Sequence, residues 1–184
     1  MPNTRLFRHR LKDDQAKASR QILIGGNDDV ASVFEALIFA DYHQFYLTSV
    51  GNEPDYADDI TDATMTERII ARDDVLVIFA ARNMDVPVAV ELHDSEPALN
   101  LSEADHIVDA GLNSSGTLLI AGCTDYLPDA AQLDAPTGDL KARVLFSGLD
   151  TLSEDGLEGE DRYRVQLWPG KADGVRVLKR WEEG

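Results

Sequence analysis

Apolar and polar residues alternate with a period of two along most of the chain, a pattern that predicts strands rather than helices. Residues 36–47 (ALIFADYHQFYL) read as one aromatic-rich strand with Leu37, Phe39, Phe45 and Leu47 on a common face. Residues 75–81 (VLVIFAA) are apolar on both faces, as a central strand is. Val86, Val88, Val90 and Leu92 alternate with Pro87, Ala89 and Glu91, and Asn83-Met84-Asp85 reads as the hairpin turn leading in from the strand before. His106, Val108, Ala110 and Leu112 form a further set, and Asn113-Ser114-Ser115-Gly116 turns the chain into the buried run 117–123 (TLLIAGC). Residues 141–146 place Ala142, Val144 and Phe146 inward and Lys141 and Arg143 outward. Tyr163, Val165 and Leu167 do the same between Arg162, Arg164 and Gln166, and residues 175–181 close the chain. Eight strands at short spacing predict an all-β fold, an antiparallel β-sandwich of jelly-roll-like form.

Helical signals are few. In residues 61–72 (TDATMTERIIAR), Thr61 or Asp62 is an N-cap candidate, with Met65, Ile69 and Arg72 at helical spacing. Residues 28–35 offer a second short helix, with acids in its first turn. Residues 1–25 read as a basic, flexible arm ahead of a single β-rich domain, 26–184; Gly25-Gly26-Asn27-Asp28 marks the break. Residues 150–161 (DTLSEDGLEGED) read as an acidic loop.

Composition then narrows the classes. With 184 residues, 43% of them hydrophobic, the chain is long enough for a core that needs neither disulfide nor metal. No apolar run approaches the ~20 residues of a membrane-spanning helix, and no signal peptide opens the sequence, so the expected compartment is the cytoplasm. The net charge is −17, and it is uneven: residues 1–20 hold six bases and two acids, leaving −21 on the remainder. A body this negative repels nucleic-acid phosphates and anionic lipid and attracts a basic protein.

Motif chemistry is sparse. Asp41 and His43 are two apart, but same-face strand neighbours lie ~6.5–7 Å from each other, too far for a direct acid/base hydrogen bond. His9, His43, His93 and His106 share no metal-ligand spacing, although His93-Asp94 and Asp105-His106 fall where they meet if a hairpin joins them. The acidic loop lacks the oxygen spacing of a calcium loop. Cys123, the single cysteine, lies in an apolar run and reads as an inert core residue. There is no phosphate loop and no nucleophile elbow. The reading is therefore of a protein that binds rather than catalyses, with no cofactor and no metal.

The tetrad Tyr42-His43-Gln44-Phe45, the acidic turn and helix of residues 55–72, the strand ending in Ala81-Arg82 and the late Gln166-Leu167-Trp168 together resemble the ComJ family of bacterial competence proteins over residues 36–169. That resemblance implies a small β-rich inhibitor of a DNA-entry nuclease, with no catalysis of its own. Carboxylates placed like phosphates would occupy the basic cleft of such a partner. Asp55, Asp58, Asp59 and Asp62 are the first candidates, and Asp155, Glu158, Glu160 and Asp161 the second. The aromatic set Tyr42, Tyr46, Trp168 and Trp181 offers groove-lining candidates, although aromatic residues in strands are more often core or cross-strand partners. The competing expectation is a small-ligand-binding sandwich or sensor module with a pocket at Tyr42, His43 and Trp168.

Overall fold

The structure, a computed structural model, describes residues 20–23 and 30–182. In chain order the first elements are β1 (Arg20–Leu23), β2 (Val30–Phe39), β3 (Gln44–Ser49), α1 (Asp62–Glu67), β4 (Ile69–Ala71), β5 (Val75–Phe79) and β6 (Asp85–His93). There follow β7 (His106–Ser114), β8 (Thr117–Gly122), β9 (Ala131–Asp134), β10 (Gly138–Ser147), β11 (Arg162–Pro169) and β12 (Arg176–Lys179). They form a seven-stranded sheet, β1-β2-β6-β11-β10-β7-β12, and a five-stranded sheet, β4-β5-β3-β8-β9. Every pairing is antiparallel except β6 with β11, which is parallel. The fold is all-β, as the alternation predicts. Arg20–Leu23, inside the expected arm, is an edge strand on β2; residues 1–19 and the Gly25–Asp28 break lie outside the described residues.

The inner faces of the two sheets share one core. Phe34, Ala36 and Ile38 of β2, Val86, Val88 and Val90 of β6, and Ala142, Val144 and Phe146 of β10 meet Phe45 and Leu47 of β3, Leu76 and Ile78 of β5 and Leu118 and Ile120 of β8. The five-stranded sheet is also covered on its outer face, by Tyr56 and Leu127 over Tyr46, Val75, Val77 and Phe79, which explains why β5 is apolar on both faces.

Four local expectations are corrected. Residues 36–47 are not one strand but two, in different sheets, separated by a 3-10 turn over Asp41–His43. Tyr42 (φ 54°) and His43 (φ 59°) are both left-handed there, so the alternation loses its phase: Phe45 and Leu47 face the core, while Leu37 and Phe39 face out. Asn83-Met84-Asp85 is no hairpin, since β5 and β6 belong to different sheets; the Ala40 N–H donates to the Met84 carbonyl (3.0 Å), pairing the two crossovers. The segment that includes residues 30–35 is strand, not helix. α1 begins where expected, with Thr61 and Thr64 capping each other reciprocally, but it ends at a left-handed Arg68, and Ile69 joins a strand.

The side chain of Arg143 points away from the core as expected yet is only 2% exposed. Asp109 grips it at two oxygens (2.8 and 3.2 Å), Glu96 and the Pro97 carbonyl add bonds of 3.1 and 3.0 Å, and it lies over the Trp168 ring. Four acceptors and an aromatic face compensate the lost hydration of the charge.

One buried cluster ties the sheets together at the end where β2 and β5 finish. The Tyr163 hydroxyl of β11 donates to Asp161 (2.6 Å) and accepts from the Ala81 N–H just beyond β5 (2.7 Å), and Arg82 pairs with the other oxygen of Asp161, which is fully buried. Burial and the Asp161 carboxylate push the Tyr163 phenol well above its ordinary value, so it stays a donor. Urea unfolding of Asp161→Ala should show a loss of about 3–5 kcal/mol, because Arg82 is left buried without its counter-charge. Tyr163→Phe should cost about 1–3 kcal/mol by leaving buried groups unpaired. Midpoints unchanged in both variants would refute a tying role for the cluster.

Candidate functional site

The β2–β3 and β5–β6 crossovers lie at one end of the sandwich, and β8, β10 and β12 finish there too. Between these strand ends lies a cleft of about 1150 Å³. Its walls come from the Tyr42-His43 turn, Met65 and Arg68 of the α1 segment, Ala80 and Ala81, Cys123, the loop from Leu149 to Gly156, and Trp181. Gly122 permits the close approach that shapes it: a Cβ there would sit 2.1 Å from the Phe39 carbonyl. Cys123 follows just beyond β8 and lines the cleft half-buried, contrary to the expectation from its apolar run.

His43 is fixed by the end of β5. Its Nδ1 stands 3.2 Å from the Ala81 carbonyl and its own carbonyl accepts from the Ala80 N–H (2.8 Å). Asp41 does not meet it; that carboxylate accepts from the Tyr42 N–H (3.0 Å) and the Thr124 hydroxyl (2.8 Å). Tyr42 is 69% exposed at the cleft mouth. Trp168 lies elsewhere, beneath Arg143 on the outer face of the large sheet, so the structure brings together two of the three expected ligand residues. The tryptophan in the cleft is Trp181, whose indole N–H donates to Asp150 (2.7 Å) and whose ring stacks against the Arg68 guanidinium. Of the four aromatic residues that the sequence offers as groove-lining, Tyr42 and Trp181 line the cleft, whereas Tyr46 and Trp168 are buried elsewhere.

The first acidic set lies on the chain segment that also supplies the cleft-lining Ile60 and Met65. Asp62 opens α1, Asp58 and Asp59 precede the cleft-lining Ile60, and Asp55 caps the Ala57 N–H. Arg72 engages this set, bonding Asp59 at 3.2 Å and the Asp55 carbonyl at 2.7 Å. Asp58 and Asp62 are exposed, with no side-chain partner among the described residues. In the second set Asp155, Glu158 and Glu160 are exposed, whereas Asp161 is the buried partner of Arg82 and offers no surface charge. The loop itself is internally bonded: Ser153 donates to Asp155 (2.6 Å), which holds that carboxyl below its ordinary range, and the Glu160 N–H donates to Thr151 (2.8 Å).

His93 and His106 do not meet across a hairpin, since β11 and β10 stand between β6 and β7. His9 lies outside the described residues. Among the described residues no three His, Cys, Asp or Glu side chains gather as metal ligands, and no helix is long and apolar enough to cross a membrane.

The resulting class is a two-sheet, all-β sandwich with an end cleft rimmed by carboxylates. No protein-family model matches the chain, and no curated protein sequence does. Among solved structures, ComJ from Bacillus subtilis, the inhibitor of the DNA-degrading activity of NucA, is similar with a TM-score of 0.58 and 18% identity. The match covers 79% of this chain and 100% of ComJ, so this chain has a ComJ-like fold. The product of crocagin biosynthetic gene J also matches, with a TM-score of 0.47 and 15% identity over 84% of this chain and 99% of that one.

One wall of the cleft rests on a neutral histidine. The Trp181 N–H donates to Nδ1 of His106 (3.2 Å), so the ring proton is on Nε2, which donates to the Glu67 carbonyl (3.0 Å). Burial, aided by Arg68 and Arg180, lowers its pKa from the usual 6.5. The unfolded chain therefore takes up this proton first as pH falls. His106 contributes full stability above pH ~6.5 and loses it below, with a limiting slope of about 1.4 kcal/mol per pH unit. Denaturation midpoints across pH 5–8 should fall on the acid side, less steeply in His106→Gln; identical slopes in the two proteins would remove His106 from the account.

Proposed function

We propose that the protein is a non-catalytic acidic binding protein that inhibits a basic partner, a nuclease, by covering its substrate cleft. The observation that carries this reading is the set of exposed carboxylates beside the apolar end cleft, on a fold similar to that of a nuclease inhibitor. Its net charge of −17 favours rapid encounter with a positive groove, and carboxylates presented on a rigid corner take positions that DNA phosphates otherwise occupy. Asp58 and Asp62 are the leading contact residues, because Asp59 is engaged by Arg72 and the Asp55 side chain caps its own turn. A small-ligand module is the second reading, favoured by a cleft of a size that takes a small molecule.

The immobilised chain should retain a DNA-degrading activity from bacterial lysate at ~50 mM salt and release it at ~300 mM, where screening is much stronger. Adding free chain to the released activity should suppress DNA degradation. In that assay Asp58→Lys with Asp62→Lys should weaken inhibition about tenfold at low salt and flatten its salt dependence. Released nuclease that the chain does not inhibit would refute the reading.

A further inference from the structure

Tyr42 and His43 are consecutive left-handed residues, and neither is the glycine or asparagine that takes this backbone readily. The crossover from β2 to β3 accounts for the backbone. It is held on every side: the Tyr42 N–H and the Thr124 hydroxyl donate to Asp41, the His43 N–H donates to the Ala40 carbonyl (3.0 Å), and the Ala80 N–H donates to the His43 carbonyl. The crossover does not account for a tyrosine. Tyr42 is 69% exposed, and among the described residues its hydroxyl has no hydrogen-bond partner and its ring no aromatic partner. Asparagine would take the same backbone at lower cost. The turn therefore carries a large aromatic side chain whose packing within the chain does little to offset its strain, and strain retained in this way points to a contact outside the chain.

The surroundings define that contact. Ile60, 40% exposed, and Met65, 55% exposed, line the same cleft as Tyr42, on the segment that also carries Asp58 and Asp62. Resting on the inhibitor reading, we propose that Tyr42 is the contact anchor of the inhibitory face: its ring enters the nuclease cleft where a nucleobase otherwise stacks, while Asp58 and Asp62 take the places of phosphates. A cleft that degrades DNA receives flat rings as well as phosphates, and a base-stacking surface tolerates different rings because each presents a π-face. A tyrosine on a turn fixed by side-chain and backbone bonds has few torsions left to order on docking, so little of its contact energy is lost to entropy.

The test compares the full native chain with three variants. Tyr42→Asn keeps a residue tolerant of left-handed backbone and removes the ring, Tyr42→Leu keeps an apolar side chain that is not flat, and Tyr42→Phe keeps the ring. In urea unfolding Tyr42→Asn should be at least as stable as the native chain; a clear loss would show that the ring serves the fold and would overturn the anchor. In the DNA-degradation assay with the retained nuclease, Tyr42→Asn and Tyr42→Leu should weaken inhibition about tenfold, and Tyr42→Phe should stay within about twofold of the native chain. The loss should be the same factor at ~50 and ~150 mM salt, unlike that of the aspartate variants, because a contact is removed rather than a charge. Undiminished inhibition by Tyr42→Asn or Tyr42→Leu, or an equal loss in Tyr42→Phe, would overturn the anchor and leave the inhibitor reading standing. A native chain that inhibits no nuclease would overturn both.

Discussion

A fully buried carboxylate holds the cleft end of this molecule together. Asp161 is out of contact with water, one oxygen on Arg82 and the other on the Tyr163 hydroxyl, and that hydroxyl also caps the Ala81 N–H. Isolated in a core, the charge would be prohibitive; with each oxygen matched it becomes a constraint that only one arrangement of β11, β5 and the intervening loop satisfies. The tyrosine ring extends the constraint inward, edge-on to Phe45 of one sheet and Phe146 of the other, and Phe146 in turn packs edge-on against His106. The spacing of the sheets at the cleft and the fixing of the acidic loop are therefore one packing problem with one solution.

The acid surplus separates into two populations. Asp109 and Glu96 neutralise Arg143, Asp161 neutralises Arg82, Glu91 holds His93 and Gln166, and Asp105 receives the Leu149 N–H. These carboxylates are structural, and their fields are largely absorbed by the partners they hold. Asp58, Asp62, Glu158 and Glu160 face solvent on connections that lead to or from the cleft walls. Net charge alone shows neither population, and only the second can act on another molecule at a distance.

The chain shows its strands in sequence because a half-buried strand must alternate: β6 does so over Asp85–Glu91, and β10 and β11 alternate in residue type up to Val144 and Leu167, where Leu145 and Trp168 are buried on the other face. The reciprocal Thr61–Thr64 cap likewise depends on local residue type and was visible. The corners were not. Tyr42, His43 and Arg68 adopt left-handed backbone without the glycine or asparagine that advertises it, so the sheet switch after β2 and the end of α1 left no signal. Hairpin spacing also failed as a guide between β5 and β6 and between β7 and β8, where a short link crosses from one layer to the other. Part of the cleft was legible, in Tyr42, His43 and the aromatic Trp181; which tryptophan reaches it was not, since the place of Trp181 depends on β12 pairing with β7 and on the His106 bond rather than on neighbours in sequence.

A ComJ-like fold fixes where corners fall, but it does not by itself assign an activity. In this chain the corners bring two physically different surfaces side by side. Exposed carboxylates act through water over roughly a Debye length, about 8–10 Å at moderate salt. Met65 and Trp181, on the cleft wall, can act on another molecule only by contact. A surface of the first kind alone would bind any basic protein weakly and lose it in salt. One of the second kind alone would be specific but slow to find its partner. α1 carries one residue of each kind, since its first residue is Asp62 and its fourth is the cleft-lining Met65.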